Sequence, residues 1–412
     1  MEKYCVIDVE NQVSVNRSVL DELVRVGAQK MLQSALEVEV SEYIDRHRSL
    51  ERADGSRAVV RNGSLPAREI QTGAGRLQVK QPRVYDTREG VKFTSNILPP
   101  YMRKSPALEA LIPILYLKGI STGQFQEALE AILGPNAAGL SANSVTRLIK
   151  VWQEDYQEWS NRDLSHKEYV YWWADGIHFN VRLEEDRTCI LVLMGTLKDG
   201  RKELIGIVDG YRESKLSWLD LLRDLKKHGL NAGAKLAVGD GGLGFWAALR
   251  EEFPSIREQR CWVHKTANVL NELPKRVQSR AKERLHEIYL AETKKDAEAA
   301  FEEFGSLYSA KYPKACNCLN KDRDVLLAFY DFPAQHWVHI RSTNPIESAF
   351  STVRHRTKRT KGNATRRATL AMVFQLCREA EKHWRKINSY ELIMKLYSDG
   401  IQFVDGIEKQ VA

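Results

Sequence analysis

Cysteine is scarce in this sequence, at six residues in 412, and the six are scattered rather than arranged in a dense framework. A small secreted domain held by disulfides is therefore excluded, and a reducing cytoplasm is expected. The first fifteen residues lack a basic stretch leading into an apolar core, so no signal peptide is expected. No apolar run approaches membrane-spanning length, so no membrane partner is expected either.

Internal repeats and low-complexity segments are also missing, and the length suits two or three globular domains. The formal net charge is +8, but the basic residues are unevenly placed. Residues 353–365 contain five cations and no acid, namely Arg354, Arg356, Lys358, Arg359 and Lys361. Such a patch indicates contact with phosphate backbones, and a solvated basic face is the alternative.

Helical spacing dominates the first 160 residues. The pattern predicts a helical region for dimerisation or DNA binding over 1–60, with one helix over 18–47 and an exposed loop over 52–64. A short hairpin and linker are predicted over 61–105. Residues 106–160 have the spacing of a helix-turn-helix-like DNA-binding domain, with a plain three-helix bundle as the alternative. Its third helix supplies the candidate DNA contacts Asn143, Ser144, Thr146, Arg147 and Lys150.

The pattern changes at Glu168, where strand-like segments begin. Three hairpin-linked strands and then alternating helix and strand predict an α/β domain with a mixed five-stranded sheet, in the order found in ribonuclease-H-like domains. We expect this catalytic domain to cover 168–264 and 336–388, with an all-α insertion over 265–335 and a C-terminal tail over 389–412. The N-terminal regions are expected to be all-α.

A single acid, Glu347, precedes the basic run in "NPIESAFSTVRHRTKRTKG". Asn344 is a suitable N-cap, and Glu347 then falls where a capping box places its acid. The alternative is a metal-binding acid. Ile346, Phe350 and Val353 form a separate apolar face, and no cation lies three or four residues after Glu347.

Two other acids favour the metal-binding interpretation. Asp175 follows an aromatic run in the first strand, and Asp240 ends the fourth. Those strands are neighbours in the expected sheet, so the two acids would meet with Glu347 and could hold two Mg²⁺ ions, with Mn²⁺ as a substitute. The alternative is that both are ordinary Asp-Gly turns, as expected for Asp209 at the sheet edge.

Several segments together resemble the transposases of bacterial insertion sequences related to the Mutator elements. They are "YLKGIST", "WADG", "GDGGLGFWAAL", "QRCWVHK" and "STNPIESAFSTVRHRTKRTKG", in that order between about residues 20 and 387. The resemblance implies a catalytic and metal-binding triad of Asp175, Asp240 and Glu347. It also implies a Cys-x-x-His motif at Cys261 and His264. The implied partner is double-stranded DNA, both at the ends of the element and at the target. A homodimer and a bacterial, nucleoid-associated location are implied as well. Gly239 and Gly242 depart from the residues that many relatives carry around the second Asp.

The Cys-x-x-His pair has several interpretations. His264 and Lys265 are candidate DNA contacts near the active site, or Cys261 and His264 support the sheet. A zinc site with Cys316 and Cys318 is the least favoured, because those two cysteines are too close together for an ordinary structural pair. Trp172, Trp173 and Trp262 are candidates for stacking on unpaired bases, although core packing is expected for whichever of Trp172 and Trp173 faces inward.

Two other functions remain open. A non-transposing nuclease would share the sheet and the acids, but the long N-terminal region and the helical insertion argue against it. A DNA-binding regulator that has lost catalysis would not need all three acids.

Overall fold

The structure is a computed structural model that describes residues 19–120, 124–133, 142–179, 188–210, 212–360 and 365–410. The contacts divide the chain into two units, Met1–Leu148 and Ile149–Ala412. Within these described ranges, no helix combines the length and apolar character needed to cross a bilayer.

The first unit begins with one long helix and four short strands. The predicted helix is confirmed as α1 (Val19–Arg46), and the predicted hairpin as the antiparallel pair β2 (Arg68–Thr72) and β3 (Gly75–Val79). Their apolar side chains form one small core, made of Leu36, Ile70, Leu77, Val79 and Leu98.

One prediction in this unit is wrong. The sequence indicates an exposed loop before residue 65, but β1 (Val59–Ser64) pairs antiparallel with β4 (Pro82–Asp86). Turn-forming residues surround a short apolar run of Ala58, Val59 and Val60, of which the structure buries the first two. Three consecutive apolar residues do not show the alternation of a strand.

Three helices follow, α2 (Pro106–Leu117), α3 (Phe125–Leu133) and α4 (Ala142–Ser160). The first turn between them uses Gly119, whose φ of 101° is in the left-handed region that favours glycine. The helix-turn-helix role stays a prediction.

A mixed five-stranded sheet is the centre of the second unit, as predicted. Its strands are β5 (Tyr169–Phe179), β6 (Thr188–Leu197), β7 (Lys202–Gly210), β8 (Leu236–Gly239) and β9 (Arg257–Arg260). The spatial order is β7-β6-β5-β8-β9. The first three strands are antiparallel neighbours, whereas β8 runs parallel to both β5 and β9.

Residues of β5 alternate between two buried faces of this sheet. Trp172 and Ala174 pack in a core that includes α5 (Lys215–Lys227) and α6 (Leu243–Glu252). Tyr171 and Trp173 lie on the opposite face, where they hydrogen-bond to His336 and to the carbonyl of His339. Because successive strand residues alternate between the faces, Asp175 lies on the same face as Tyr171 and Trp173.

The predicted helical region after the sheet is confirmed, although it starts earlier than expected. The last strand ends at Arg260, and α7 begins at Trp262, before the expected boundary at 265. The helices are α7 (Trp262–Asn271), α8 (Lys275–Leu290), α9 (Lys294–Tyr308), α10 (Pro313–Asn320), α11 (Arg323–Leu326) and α12 (Trp337–Ile340). Short 3₁₀ turns cover Ala328–Asp331 and Ala334–His336.

Glu347 and most of the basic run that follows it lie on α13 (Asn344–Thr360), and the next helix is α14 (Arg366–Glu381). The predicted apolar face of α13 is confirmed, because Ile346, Phe350 and Val353 are all buried. The helix contacts both β5 and α14.

The predicted C-terminal tail contains a 3₁₀ segment, Tyr390–Tyr397, and a hairpin of β10 (Ile401–Val404) and β11 (Ile407–Gln410). The amide of Gly406 donates to the carbonyl of Tyr330, so the hairpin is attached to the helical region.

Candidate active site

Two of the predicted acids lie side by side at the centre of the sheet. Ala174 of β5 is paired with Gly239 of β8, so Asp175 and Asp240 occupy the next position on each parallel strand. Asp175 is 6% exposed, and its Oδ1 accepts a hydrogen bond from the amide of Gly176 at 2.8 Å. Backbone pairing therefore determines the spacing of this acid pair.

A third carboxylate joins the pair, and the sequence did not indicate it. Glu213 lies just after β7 and immediately before Ser214, the N-cap of α5. Oxygens of Asp175, Glu213 and Asp240 lie within 4.8 Å of one another. We call these three residues the sheet-end acid cluster.

Glu347 belongs to a second group at the start of α13. It forms, with Cys261 and His264, a set whose ligand atoms also lie within 4.8 Å of one another. Its Oε1 is 3.7 Å from Nε2 of His264 and accepts a hydrogen bond from the hydroxyl of Thr343 at 3.0 Å. The partner of Glu347 therefore comes from α7, which the spacing within α13 did not reveal.

The expected capping box at Asn344 is wrong. The carbonyl of Thr343 accepts from the amides of Ile346 and Glu347, so the helix starts one residue earlier than predicted. Glu347 accepts a hydrogen bond from the Thr343 hydroxyl and not from the amide of Asn344. The amide of Asn344 donates to the Ser342 hydroxyl instead.

Burial and charge shift the pKa values of these groups. Burial raises the pKa of Asp175 to about 7, and repulsion by Asp240 and Glu347 adds to this while His264 opposes it. Burial likewise raises the pKa of Glu213 to about 7, with repulsion from Asp240 and Asp175. A site that holds three close carboxylates in a buried place favours bound protons or cations.

His264 supplies positive charge beside both groups. Its hydrogen bond to Cys261 raises its pKa to about 9 against the effect of burial, and the charges of Asp175 and Asp240 contribute further. Burial alone would raise the pKa of the Cys261 thiol, but the bond to His264 lowers it overall. Sγ of Cys261 also accepts from the amide and hydroxyl of Thr343, each at 3.3 Å, and so ties α7 to α13.

The donors present fit a hard divalent cation. Carboxylate oxygens are the ligands that Mg²⁺ and Mn²⁺ prefer. Oδ2 of Asp175 and both oxygens of Glu213 accept no hydrogen bond from any residue in the described ranges. Three carboxylates this close together repel one another when all are ionised, so their position beside the end of β8 suits a cation.

The alternative zinc site is not formed by these residues. Among the described side chains, no metal-ligating group combines Cys261 and His264 with Cys316 or Cys318. Asp209, the acid expected in an ordinary Asp-Gly turn, lies at the end of the edge strand β7 as expected. It forms an ion pair with Arg366 at 2.9 Å.

The predicted DNA contacts fall into three groups. Arg147, Lys150 and Arg354 are exposed. Two residues are not available to DNA in this conformation. Lys265 is 0% exposed, and its Nζ donates to the carbonyl of Cys318 at 2.6 Å and forms an ion pair with Asp322. Arg356 is 1% exposed. The prediction of a DNA contact at these two positions is therefore not supported.

The remaining candidates lie partly outside the description. Ser144 is half-buried and Thr146 is exposed on α4. The side chains of Asn143, Lys358 and Arg359 and the whole of Lys361 lie outside the described residues.

The tryptophans proposed for stacking are core residues. Trp172, Trp173 and Trp262 are all buried, and Nε1 of Trp262 donates to the carbonyl of Leu326 at 2.8 Å. Core packing was expected for one of the first two, but base stacking by Trp262 is contradicted.

Fold and site together define an α/β protein with carboxylates gathered where β8 ends beside the central strand β5, next to a basic helix. A family model described as "Transposase, Mutator family" matches residues 2–387. The chain belongs to this family of transposases.

Individual relatives agree. The chain is 51% identical over 286 residues to the transposase for insertion sequence element IS6120 of Mycolicibacterium smegmatis, which covers 69% of this chain and 88% of the relative. It is 49% identical to the transposase for element IST2 of Acidithiobacillus ferrooxidans, over 68% and 95% of the two chains. A Staphylococcus aureus transposase for element IS256 in transposon Tn4001 is 30% identical over 85% and 87%.

Proposed function

We propose that this protein binds the terminal inverted repeats of an insertion sequence and catalyses metal-dependent DNA strand cleavage and strand transfer. Asp175, Asp240 and Glu347 are the proposed catalytic carboxylates. The observation that carries the proposal is that Asp175 and Asp240 directly follow Ala174 and Gly239, which are paired between β5 and β8, while α13 contacts β5.

A ribonuclease-H-like catalytic domain is part of this proposal. Three antiparallel strands followed by two parallel ones, in the order β7-β6-β5-β8-β9, support it. This order puts the first and fourth strands of the sheet next to each other, which explains why acids 65 positions apart in the chain (240 − 175) become neighbours.

The proposed chemistry needs no protein nucleophile. Two Mg²⁺ ions, when bound, supply the charge that activates the attacking oxygen and stabilises the leaving oxygen of a phosphodiester. Asp175 and Asp240 would hold them from the sheet, and Glu347 from α13. Thr343 orients the Glu347 carboxylate, and the protonated ring of His264 limits repulsion among the acids.

Exposed cations on α4 and on α13 would hold the DNA. Arg354 lies two turns after Glu347 on α13, where it could contact a phosphate beside the site. Arg147 and Lys150 on α4 are the proposed contacts to the inverted repeat. A homodimer that pairs the two element ends completes the proposal.

Strand cleavage on a duplex that carries the element's own end tests the proposal. The parent protein should cleave at the end with Mg²⁺ or Mn²⁺ and stop when a chelator is added. Asp240→Asn should bind the duplex equally well but cleave at least about 100-fold more slowly, because a direct metal ligand matters at least as much as its outer-shell supports.

Tight binding without cleavage by either protein, even with paired ends and Mn²⁺, would contradict the catalytic proposal. It would favour the DNA-binding regulator and leave Glu347 as a structural acid of α13.

A further inference from the structure

Glu213 is the carboxylate in the sheet-end acid cluster with the fewest stabilising contacts. Asp175 accepts from the amide of Gly176, and Oδ1 of Asp240 accepts from the amide of Gly242 at 2.7 Å. Glu347 has the Thr343 hydroxyl and the His264 ring. No residue in the described ranges donates a hydrogen bond to Glu213 or forms an ion pair with it. This half-buried carboxylate beside two others therefore has no direct hydrogen-bonding or ion-pairing partner among the described residues, and only the nearby charge of His264 favours its ionised form.

Two glycines leave room for this carboxylate. A Cβ built on Gly176 would lie 3.1 Å from Oε2 of Glu213, and one on Gly242 would lie 3.0 Å from Oε1. The Gly242 position would also place a Cβ 3.0 Å from Oδ1 of Asp240. Both oxygens of Glu213 are thus flanked by backbone that has no side chain, next to the two acids of the sheet.

The backbone that carries Glu213 is itself fixed. A Cβ on Gly244, at the start of α6, would lie 2.7–2.8 Å from backbone atoms of residues 213–215. The segment therefore packs directly against the helix that follows Asp240, and the Ser214 hydroxyl caps α5 immediately after it. The position of Glu213 beside Asp240 results from this packing rather than from a flexible loop.

The most buried acid of the cluster is consistent with a ligand at the same place. Asp175 is more than nine-tenths buried, and its Oδ2 accepts no hydrogen bond from any described residue. Glu347 does not fill this role here, since it is held in its separate group with Cys261 and His264.

We infer that Glu213 is a fourth metal-ligating carboxylate, which holds the first divalent cation together with Asp175 and Asp240 before DNA binds. Glu347 would then complete the site for a second ion. This inference rests on the proposed function and deepens it, because it assigns different acids to the two binding events.

A competing arrangement shares the same residue. Ligand atoms of His178, Cys189 and Glu213 also lie within 4.8 Å of one another, a set that would suit a softer ion such as Zn²⁺. The carboxylate set is favoured because Cys189 is fully buried, and burial and the nearby acids raise the pKa of its thiol to about 12.

Mn²⁺ titration of the full chain without DNA tests the inference, with binding followed by electron paramagnetic resonance of the free ion. Glu213→Gln should raise the dissociation constant of the first binding event at least about tenfold. Glu347→Gln should leave that first event within about twofold of the parent and weaken only a second. Asp220→Asn, which removes one negative charge from the exposed face of α5, is the matched control and should change neither.

The outcomes separate this inference from the proposed function. If Glu213→Gln binds the first Mn²⁺ like the parent while Asp240→Asn does not, the inference is overturned and the proposed function stands. If Asp240→Asn also binds like the parent, the proposed metal site itself fails. A selective loss of Zn²⁺ binding in Glu213→Gln and Cys189→Ser, with Mn²⁺ unchanged, would favour the competing set.

Folding is checked by circular dichroism and thermal unfolding of each variant. If Glu213→Gln does not fold, Glu213→Asp keeps the charge but shortens the side chain. It should then show a first-event dissociation constant between those of the parent and Asp240→Asn, and parent-like binding would overturn the inference.

Discussion

Asp175 and Asp240 follow paired residues of two strands, whereas Glu347 lies in the first turn of a helix. The positions of the first two are set by backbone hydrogen bonds inside a buried sheet. That of the third is set by side-chain contacts to Thr343 and His264. The sheet side is therefore expected to be rigid, and the helix side to exchange partners when metal and DNA bind.

The largest expected effect comes from disturbing the rigid side. In Gly244→Ala the new Cβ would lie 2.7 Å from backbone of the segment carrying Glu213, so that segment must move away from α6. Overpacking of this kind should lower the free energy of unfolding by about 1–3 kcal/mol. Because the acids would also separate, cleavage should fall at least about 100-fold, as for loss of a ligand.

The control for this variant is Gly305→Ala. Gly305 lies in α9 with nothing within 4 Å of a Cβ, so alanine should raise helix stability by up to about 1 kcal/mol. Urea unfolding and end cleavage measured on both proteins provide the comparison. Equal cleavage by Gly244→Ala and the parent would show that the sheet side tolerates movement.

A second, smaller effect is the pH dependence of the metal-free protein. The folded-state pKa of Asp175 is raised to about 7, so the folded state keeps a proton that the unfolded state has lost above about pH 4. The stability from this proton is complete at low pH and is lost as pH rises towards 7, by roughly 2 kcal/mol between pH 5 and 8.

Asp175→Asn should weaken this pH dependence, to which the raised pKa of Glu213 still contributes, and should make the metal-free protein more stable than the parent at pH 8. Thermal unfolding in chelator at pH 5, 6, 7 and 8 measures it, and Mn²⁺ should stabilise the parent most at the highest pH. If the stability of the parent and that of Asp175→Asn change with pH to the same extent between pH 5 and 8, the raised pKa of Asp175 is contradicted.

The smallest effect concerns the basic run on the helix side. Arg354 is exposed and Arg356 is buried, although both belong to the same charge run. Arg354→Ala should reduce the slope of log affinity against log salt by about one for element-end DNA. Arg356→Ala should lower thermal stability instead and leave that slope unchanged. The reverse pattern would show that α13 changes its exposed face on DNA.

The two sides also differ in how well the sequence predicted them. The strands followed from runs of buried apolar residues, and the neighbouring positions of Asp175 and Asp240 followed from strand order, because each acid comes directly after such a run. The apolar face of α13 followed from helical spacing.

Glu213 could not be predicted in this way. It lies in a connection after an edge strand, three residues past Gly210, with no motif around it. Its position depends on packing against Gly244, a contact between segments about thirty residues apart. Only the Ser214 N-cap that follows it gives a local signal, and that signal concerns the helix.

Charge runs were the least informative pattern. Arg356 was predicted to contact DNA because of its neighbours in the charge run, but the structure buries it. Lys265 was predicted as a contact because it follows the Cys-x-x-His motif, and it is buried as well. A run of cations shows that positive charge is concentrated, whereas the exposed face of each helix depends on tertiary packing.

A structure of the protein with Mn²⁺ and a duplex of its element end is the most direct test of the proposed metal site. We expect anomalous density for ions within about 2.0–2.4 Å of carboxylate oxygens of Asp175 and Asp240. We also expect Glu347 to leave the Thr343 hydroxyl and reach an ion. Density absent from the two aspartates, or a Glu347 still bonded to Thr343 with no ion beside it, would contradict the proposed site.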